Sequence, residues 1–363
     1  MGLTAGIVGL PNVGKSTLFN AVTKASVLAA NYPFATIEPN VGIVEVRDER
    51  LERIVAAVKP RNVVRASFSF TDIAGLVKGA ANGEGLGNQF LSHIRNVDCI
   101  CQVVRCFDNP DVIHVSGRVD PVADIEIVNL ELMLSDLDII NRRLPKIEKK
   151  AQLKVEADAE AEYEVLMKIK KELESGRRKV QLSPEEAFLV KPYNFLTLKP
   201  MIYVCNVSED ALLADNDYVK AVKEFAAAEG SGVVKICAQL EAELVELDEE
   251  SRKLFLEELG LPESGLDKLT REAYNLLGLA TFFTAGEKEV RAWTFRRGMK
   301  ASECAGIIHS DFERGFIRAE VTAYADFEKY GSLQKAKEAG RMRSEGRDYL
   351  MQDGDIVLFR FNV

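Results

Sequence analysis

The sequence predicts an α/β fold: a mostly parallel sheet with an inserted antiparallel helical coiled-coil arm and a C-terminal α+β domain. Two observations carry this. Apolar, strand-like runs recur at 3–8, 42–46, 66–72, 99–104, 201–206 and 233–238, with helical patterns between most of them. That alternation suits a parallel sheet, whose return crossovers carry helices on both faces. The gap from about residue 108 to 199 is too long for one crossover and must hold an insertion.

Composition bounds the rest. A chain of 363 residues allows one large domain or two to three ordinary ones. Its 47% hydrophobic and 28% charged residues are those of a soluble globular protein. No run approaches a membrane span, and the start runs straight into the first strand without a basic signal region. Gly2 raises the question of myristoylation, but Gly6 stands where that signal wants Ser or Thr. Six cysteines without a C-x-x-C pair read as reduced core residues, which places the protein in the cytoplasm. Net charge is −9, distributed as −4 over 1–140, +4 over 141–179, −10 over 180–277 and +1 over 278–363. This excludes a globally basic nucleic-acid binder and leaves a local basic excursion for an anionic contact.

The elements follow in chain order. The run 3–8 leads into Gly9-Leu10-Pro11-Asn12-Val13-Gly14-Lys15-Ser16, which fits G-x-x-x-x-G-K-[ST]. An amphipathic stretch follows over 17–24, with Leu18, Phe19 and Val22 inward. Strand, glycine-bounded turn and helix N-terminus together make a phosphate cradle. Lys15 supplies a mobile cation for the β- and γ-phosphates, and the Ser16 hydroxyl a ligand for Mg²⁺. The expected nucleotide contacts run from Asn12 and Val13 through Gly14, Lys15 and Ser16 to Thr17. In 31–36, Thr36 is the switch threonine expected to ligate Mg²⁺ only when a γ-phosphate is present. The run 66–72 ends in Asp72-x-x-Gly75: Asp72 holds Mg²⁺ through water and the Gly75 amide reaches the γ-phosphate. The glycine-dense stretch 82–88 reads as a second, mobile switch.

The insertion, 128–198, is helical. Leu130, Leu134, Leu137, Ile140, Leu144 and Ile147 repeat at three and four residues; Tyr163, Leu166, Ile169 or Lys170, and Leu173 do so again. Two helices joined near 152–158 pack as a coiled-coil arm. Pro145 predicts a kink or break in the first helix, and Gly176 ends the second. After the insertion, the run 201–206 delivers Asn206-Val207-Ser208-Glu209. From residue 278 the pattern becomes α+β: a strand pair at 281–285 and 290–295 around Gly286-Glu287, helices at 302–308 and 332–339, and strands at 316–322 and 356–361.

Taken together, 9–21, 31–40, 70–98 and 206–209 resemble the Obg family of P-loop NTPases, and the match to its YchF subfamily, the Obg-like ATPases, is close. The resemblance spans nearly the whole chain. It implies an Obg-type nucleotide-binding domain over 1–277 containing the arm, and a TGS domain over 278–363. Two departures from ordinary GTPases shape the expected activity. Asn206-Val207-Ser208-Glu209 stands where GTPases have N-K-x-D. Val207 cannot replace the lysine stem, and Glu209 is a methylene longer than the aspartate that pairs with guanine, so discrimination for guanine is lost. Asn206 retains the means to bond adenine. ATP is the expected substrate, with GTP accepted less selectively. Leu76 stands where Ras-type enzymes place a water-orienting glutamine, so hydrolysis is expected to be slow. Asn12 resembles the asparagine that holds K⁺ in related NTPases. His114 is the second candidate for orienting water, and His93 a weaker one.

The resemblance further implies a monomer that contacts the ribosome, either its large subunit or the whole particle. The basic arm reads either as a solvated coiled coil held by ion pairs or as an RNA contact, in which Arg142, Arg143, Lys146, Lys149, Lys150 and Lys154, then Arg177, Arg178 and Lys179 of the arm, with Arg296, Arg297, Lys300, Arg341, Arg343 and Arg347 in the last domain, meet double-stranded RNA. The leading expectation is thus a slow, Mg²⁺-dependent ATPase switch. A GTP-preferring switch, a non-catalytic RNA-binding adaptor with structural nucleotide and a small-molecule kinase are its rivals; no Arg-rich lid or acceptor pocket supports the last.

Overall fold

The computed structural model describes residues 3–28, 40–73, 86–112, 117–152 and 158–362. The first half runs β1 (Thr4–Val8), α1 (Lys15–Leu28), β2 (Val41–Glu45), α2 (Glu49–Val58), β3 (Asn62–Val64), β4 (Ser67–Asp72), α3 (Leu86–Arg95) and β5 (Cys99–Arg105). The helices α4 (Pro121–Gln152), α5 (Ala159–Glu174) and α6 (Pro184–Val190) follow. The chain then returns to β6 (Met201–Asn206), α7 (Asp217–Glu229), β7 (Gly232–Ile236), α8 (Ala238–Leu244), α9 (Glu249–Glu258) and α10 (Gly265–Leu276). It ends with β8 (Leu279–Ala285), β9 (Glu289–Arg296), α11 (Ala301–Ile308), α12 (Ser310–Arg314), β10 (Phe316–Thr322), α13 (Tyr324–Tyr330), α14 (Leu333–Glu338), β11 (Arg343–Glu345) and β12 (Ile356–Phe361).

The first sheet has the order β2-β4-β1-β5-β6-β7, and β4-β1-β5-β6-β7 pair in parallel. Every residue of β5 and β6 is buried, as expected of central parallel strands covered on both faces. All six cysteines are buried free thiols. No described helix is long and apolar enough to cross a membrane.

The arm forms as two helices whose ends meet residues 152 and 159. Its seam contains Met133, Ile140, Leu144 and Ile147 from α4 against Val165, Leu166, Ile169 and Leu173 from α5. Leu130, expected in the seam, is 48% exposed, and Met133 takes that part of it. Of the kink or break expected at Pro145, the break does not occur: α4 is one helix of 32 residues with Pro145 inside it, on the exposed side. The missing N–H therefore falls at the water side, while Leu144 and Ile147 beside it are buried. Gly176 follows the end of α5 with φ +81°.

Several cations of the arm region are engaged internally. Arg142 pairs with Asp138, Arg143 with Glu162 and Arg177 with Glu172. Arg178 is only 4% exposed and pairs with Glu229 at 3.1 Å, which removes it from the set expected to meet RNA. Lys146 and Lys149 are exposed. Lys150 and Lys154 lie outside the residues whose side chains are described. At the foot of the arm, fully buried Asp136 accepts from Leu196 N (3.1 Å), Thr197 N (2.8 Å) and Thr197 Oγ1 (2.8 Å), and pairs with Arg95 (3.2 Å). Burial nevertheless holds its carboxyl above the usual range.

Contacts divide the chain into Met1–Gly42 with Ser69–Leu269, and Ile43–Phe68 with Thr270–Val363. The second unit thus recruits 43–68 from early in the sequence, a difference from the linear split at 277/278. The reason is non-local pairing. Its sheet has the order β11-β10-β12-β8-β9-β3, and β3 joins parallel to β9 with Asn62 opposite Glu289. Helix α2, capped by Asp48, buries Leu51 and Ile54 and packs on β8 and β9. Arg50 lies over the Phe283 ring at 5.5 Å and pairs with Asp48 and Asp353. The expected hairpin is present: β8 and β9 are antiparallel and Gly286 N donates to Glu289 O at 3.0 Å. Several of this unit's cations are also paired, Arg297 with Asp353, Lys300 with Asp348 and Arg343 with Glu345.

Candidate nucleotide site

The site is built where β1 gives way to α1. Between Val8 and Lys15 the chain turns tightly, with Asn12 at φ +64° and Gly14 at φ +92°. Val13, 1% exposed, anchors the turn to the core. Two positions require glycine. A Cβ on Gly9 would lie 2.7 Å from Val103 O of β5, and one on Gly14 would lie 2.1 Å from Asn206 Nδ2. The turn is therefore pressed against β5 and β6, the next two strands on one side of β1. Helix α1 starts at once, with Leu18 N donating to Gly14 O at 3.0 Å. The first N–H groups of a helix have no partner within it, which leaves them for an anion.

Lys15, 9% exposed, ends at 2.7 Å from Asp72 Oδ1 at the end of β4. The register of β1 with β4, Ile7 opposite Asp72, brings the carboxylate there. Ser16 and Thr17 are exposed on the first turn of α1. A hydroxyl and a single carboxylate form a hard-oxygen donor set that fits Mg²⁺ held jointly with substrate phosphates. Among the described residues no group of three or more His, Cys, Asp or Glu is arranged to hold a metal by itself.

Asn206, at the end of β6, is 5% exposed and bonds the loops around it through both its amide atoms. Its Nδ2 donates to Val13 O at 2.9 Å, and its Oδ1 accepts from Ala238 N at 3.0 Å. Cys106 N donates to its main-chain oxygen at 2.8 Å. One residue thus ties the phosphate turn, the loop after β5 and the start of α8 together. Val207 is 2% exposed and its N–H donates to Ile236 O at 2.9 Å, so its side chain belongs to the core. Glu209 is exposed and lines an open pocket of about 500 Å³ with Asp210, Leu212, Leu213, Leu259 and Leu261. Sequence reasoning passed over Cys237-Ala238, whose signal was its place at a strand-to-helix junction at the same edge of the sheet.

Thr36, Gly75, Leu76 and His114 lie outside the described residues, as do residues 82–85 of the glycine-dense stretch. Leu86, Gly87 and Asn88 from the same stretch begin α3, and His93 falls in its last turn.

The parallel sheet, the glycine-bounded turn and the paired lysine and aspartate define a P-loop NTPase. Comparisons narrow the class. A family model described as "50S ribosome-binding GTPase" matches residues 4–140, and the YchF-type GTPase C-terminal model, described as a protein of unknown function, matches residues 279–362. The chain is 57% identical over 367 residues to "Ribosome-binding ATPase YchF" of Bacillus subtilis (strain 168), with 100% of both chains covered. It is 53% identical over 365 residues to the protein of the same name from Escherichia coli O157:H7, again covering 100% of both. The solved structure of the Schizosaccharomyces pombe YchF GTPase matches with a TM-score of 0.89 at 38% identity, covering 99% of this chain and 98% of that one. The chain belongs to the YchF family.

Proposed function

We propose that this chain is a ribosome-associated ATPase that works as a slow switch. The observation that carries the reading is the Lys15–Asp72 pair beneath the phosphate turn, at 2.7 Å. A lysine already held at the mouth of the turn, where helix α1 begins, is placed to exchange its carboxylate partner for phosphate oxygens. Gly14, Lys15, Ser16 and Thr17 receive the phosphates. Ser16, Asp72 and Thr36 would hold Mg²⁺, which would supply charge neutralisation of the phosphates. Gly75 contacts the γ-phosphate, and His114 orients water in place of the glutamine that Leu76 displaces. Asn12 would hold K⁺ as a further cation.

Base preference follows from the residues after β6. The buried Val207 offers no lysine stem over a base, and the exposed Glu209 reaches further than an aspartate. Asn206 keeps one amide hydrogen for the purine while its other groups fix Val13 and Ala238. ATP is the substrate and GTP a weaker one. The relatives' name, ribosome-binding ATPase, supports both activity and partner. Double-stranded RNA contact is confined to cations not already paired, such as Lys146 and Lys149, and the protein acts as a monomer. Calorimetric titration of the full chain with ATP and with GTP in Mg²⁺ tests the preference. Tighter ATP binding is expected, and equal or tighter GTP binding overturns it.

A further inference from the structure

Beyond Glu209 the chain leaves the base site and enters a groove that the reading above does not use. One helical turn, Glu209–Ala211, leads to Leu212 and Leu213. With Leu259 and Leu261, which follow α9, these leucines line the groove of about 500 Å³, and Glu209 and Asp210 complete its lining. The floor is firm. Leu212, Leu259 and Leu261 are partly buried against a small core of Leu240, Leu244 and Leu256.

Leu213 is not part of that floor. It is 70% exposed at the edge of the groove. A single exposed leucine is ordinary, but one that borders an apolar groove extends a contact surface. On α9, Leu254 is 61% exposed, and Glu257 and Glu258 follow it by three and four residues, on the same helical face.

Charge selects what this surface can take. Glu209, Asp210, Glu257 and Glu258 are all exposed. Among the described residues only Glu257 of these four has a cationic partner, Lys253 at 3.9 Å. Residues 180–277 together carry −10. Such a field repels the phosphates of RNA and draws in lysine and arginine. The apolar floor asks in addition for an apolar side chain. A basic protein segment with a leucine-like anchor satisfies both demands, in the manner of an amphipathic segment laid in a groove.

We propose that this groove docks a basic protein segment of the ribosome, with an apolar side chain entered among Leu212, Leu213, Leu259 and Leu261 and with cations paired to Asp210 and the carboxylates near it. The inference rests on the ribosome-associated reading and adds the chemical kind of one contact: protein at this acidic face, where RNA is repelled.

The test uses the full chain, salt-washed ribosomes, and ribosomal RNA freed of protein. Leu213→Ser removes the exposed anchor and Asp210→Lys reverses one rim charge. Both residues are exposed, so neither change threatens the fold. Leu213→Ser is expected to weaken ribosome binding by about 10-fold or more, the scale of a lost apolar anchor. Asp210→Lys is expected to weaken it by a smaller factor that shrinks as salt rises. Binding to the free RNA, and ATP affinity by calorimetry, should stay at the parent's level in both. If the parent binds ribosomes and either variant binds them equally well, the proposal is overturned while the ribosome-associated reading stands. Equal weakening on free RNA would make RNA the occupant, and a matching fall in ATP affinity would assign the groove to the base site; each overturns the proposal. If the parent itself fails to bind ribosomes, that reading fails and the proposal with it.

Discussion

Replacing Gly14 with alanine probes the tightest approach in the site. An alanine at φ +92° adopts a left-handed conformation, which costs roughly 1–2 kcal/mol. Its Cβ would lie 2.1 Å from Asn206 Nδ2, so the amide must move. Moving it breaks the bonds to Val13 O and from Ala238 N, and each buried group left unpaired costs about 1–3 kcal/mol. The sum is about 3–8 kcal/mol against the closed turn. Because nucleotide binds that state, the apparent affinity for Mg·ATP should fall by at least about 100-fold. Asn206→Ala loses the same bonds without the strain. The double variant Gly14→Ala/Asn206→Ala has no amide to displace, so it should be less impaired than the two single effects summed, by about 1 kcal/mol or more. Calorimetry on the four proteins measures this directly. Additive losses, or an undiminished affinity in Gly14→Ala, would refute the steric argument.

Other perturbations test separate parts of the account. Glu241 is 2% exposed, and burial pushes its carboxyl up to about 7 although Gly265 N donates to it at 2.7 Å; Asp267 adds to the rise and Arg252 opposes it. Its folded pKa exceeds its unfolded one, so its favourable contribution is complete below about pH 4.5 and is lost as pH rises through about 7. Glu241→Gln should therefore gain stability relative to the parent as pH rises from 5 to 8, on the order of 3 kcal/mol at most, read by urea unfolding at each pH; a constant difference would contradict it. Pro145→Ala should stabilise α4 by up to about 3 kcal/mol, seen as slower hydrogen exchange in the arm. Unchanged or faster exchange would mean the helix has already adapted to proline. Asp72→Asn frees Lys15, so Mg²⁺-free binding of ATP should tighten while Mg²⁺-dependent turnover falls; weaker binding without Mg²⁺ would contradict the competition inferred from the ion pair.

The site was legible in sequence to the extent that it is local. Residues 4–24 form the expected strand, turn and helix because glycine placement, the apolar run and the amphipathic stretch are contiguous. Asp72 was readable from its strand end. The part played by Asn206 was only half visible: that it grips Val13, 193 residues away, follows from strand order and cannot be read from either segment alone. The same limit hid the transfer of 43–68 to the second unit, where Asn62 pairs opposite Glu289. Counting cations overstated the basic face, since burial and pairing of Arg178 with Glu229 depend on a partner 51 residues on. Of the kink or break that Pro145 predicted, the break does not occur, and Leu144 and Ile147 beside it are buried in the seam.

Steady-state phosphate release from ATP and GTP, by the parent chain and by Lys15→Ala, tests the central claim most directly. A higher kcat/KM for ATP, dependent on Mg²⁺ and lost in Lys15→Ala, is the predicted result. Faster turnover of GTP, or ATP hydrolysis that survives the loss of Lys15, would contradict it.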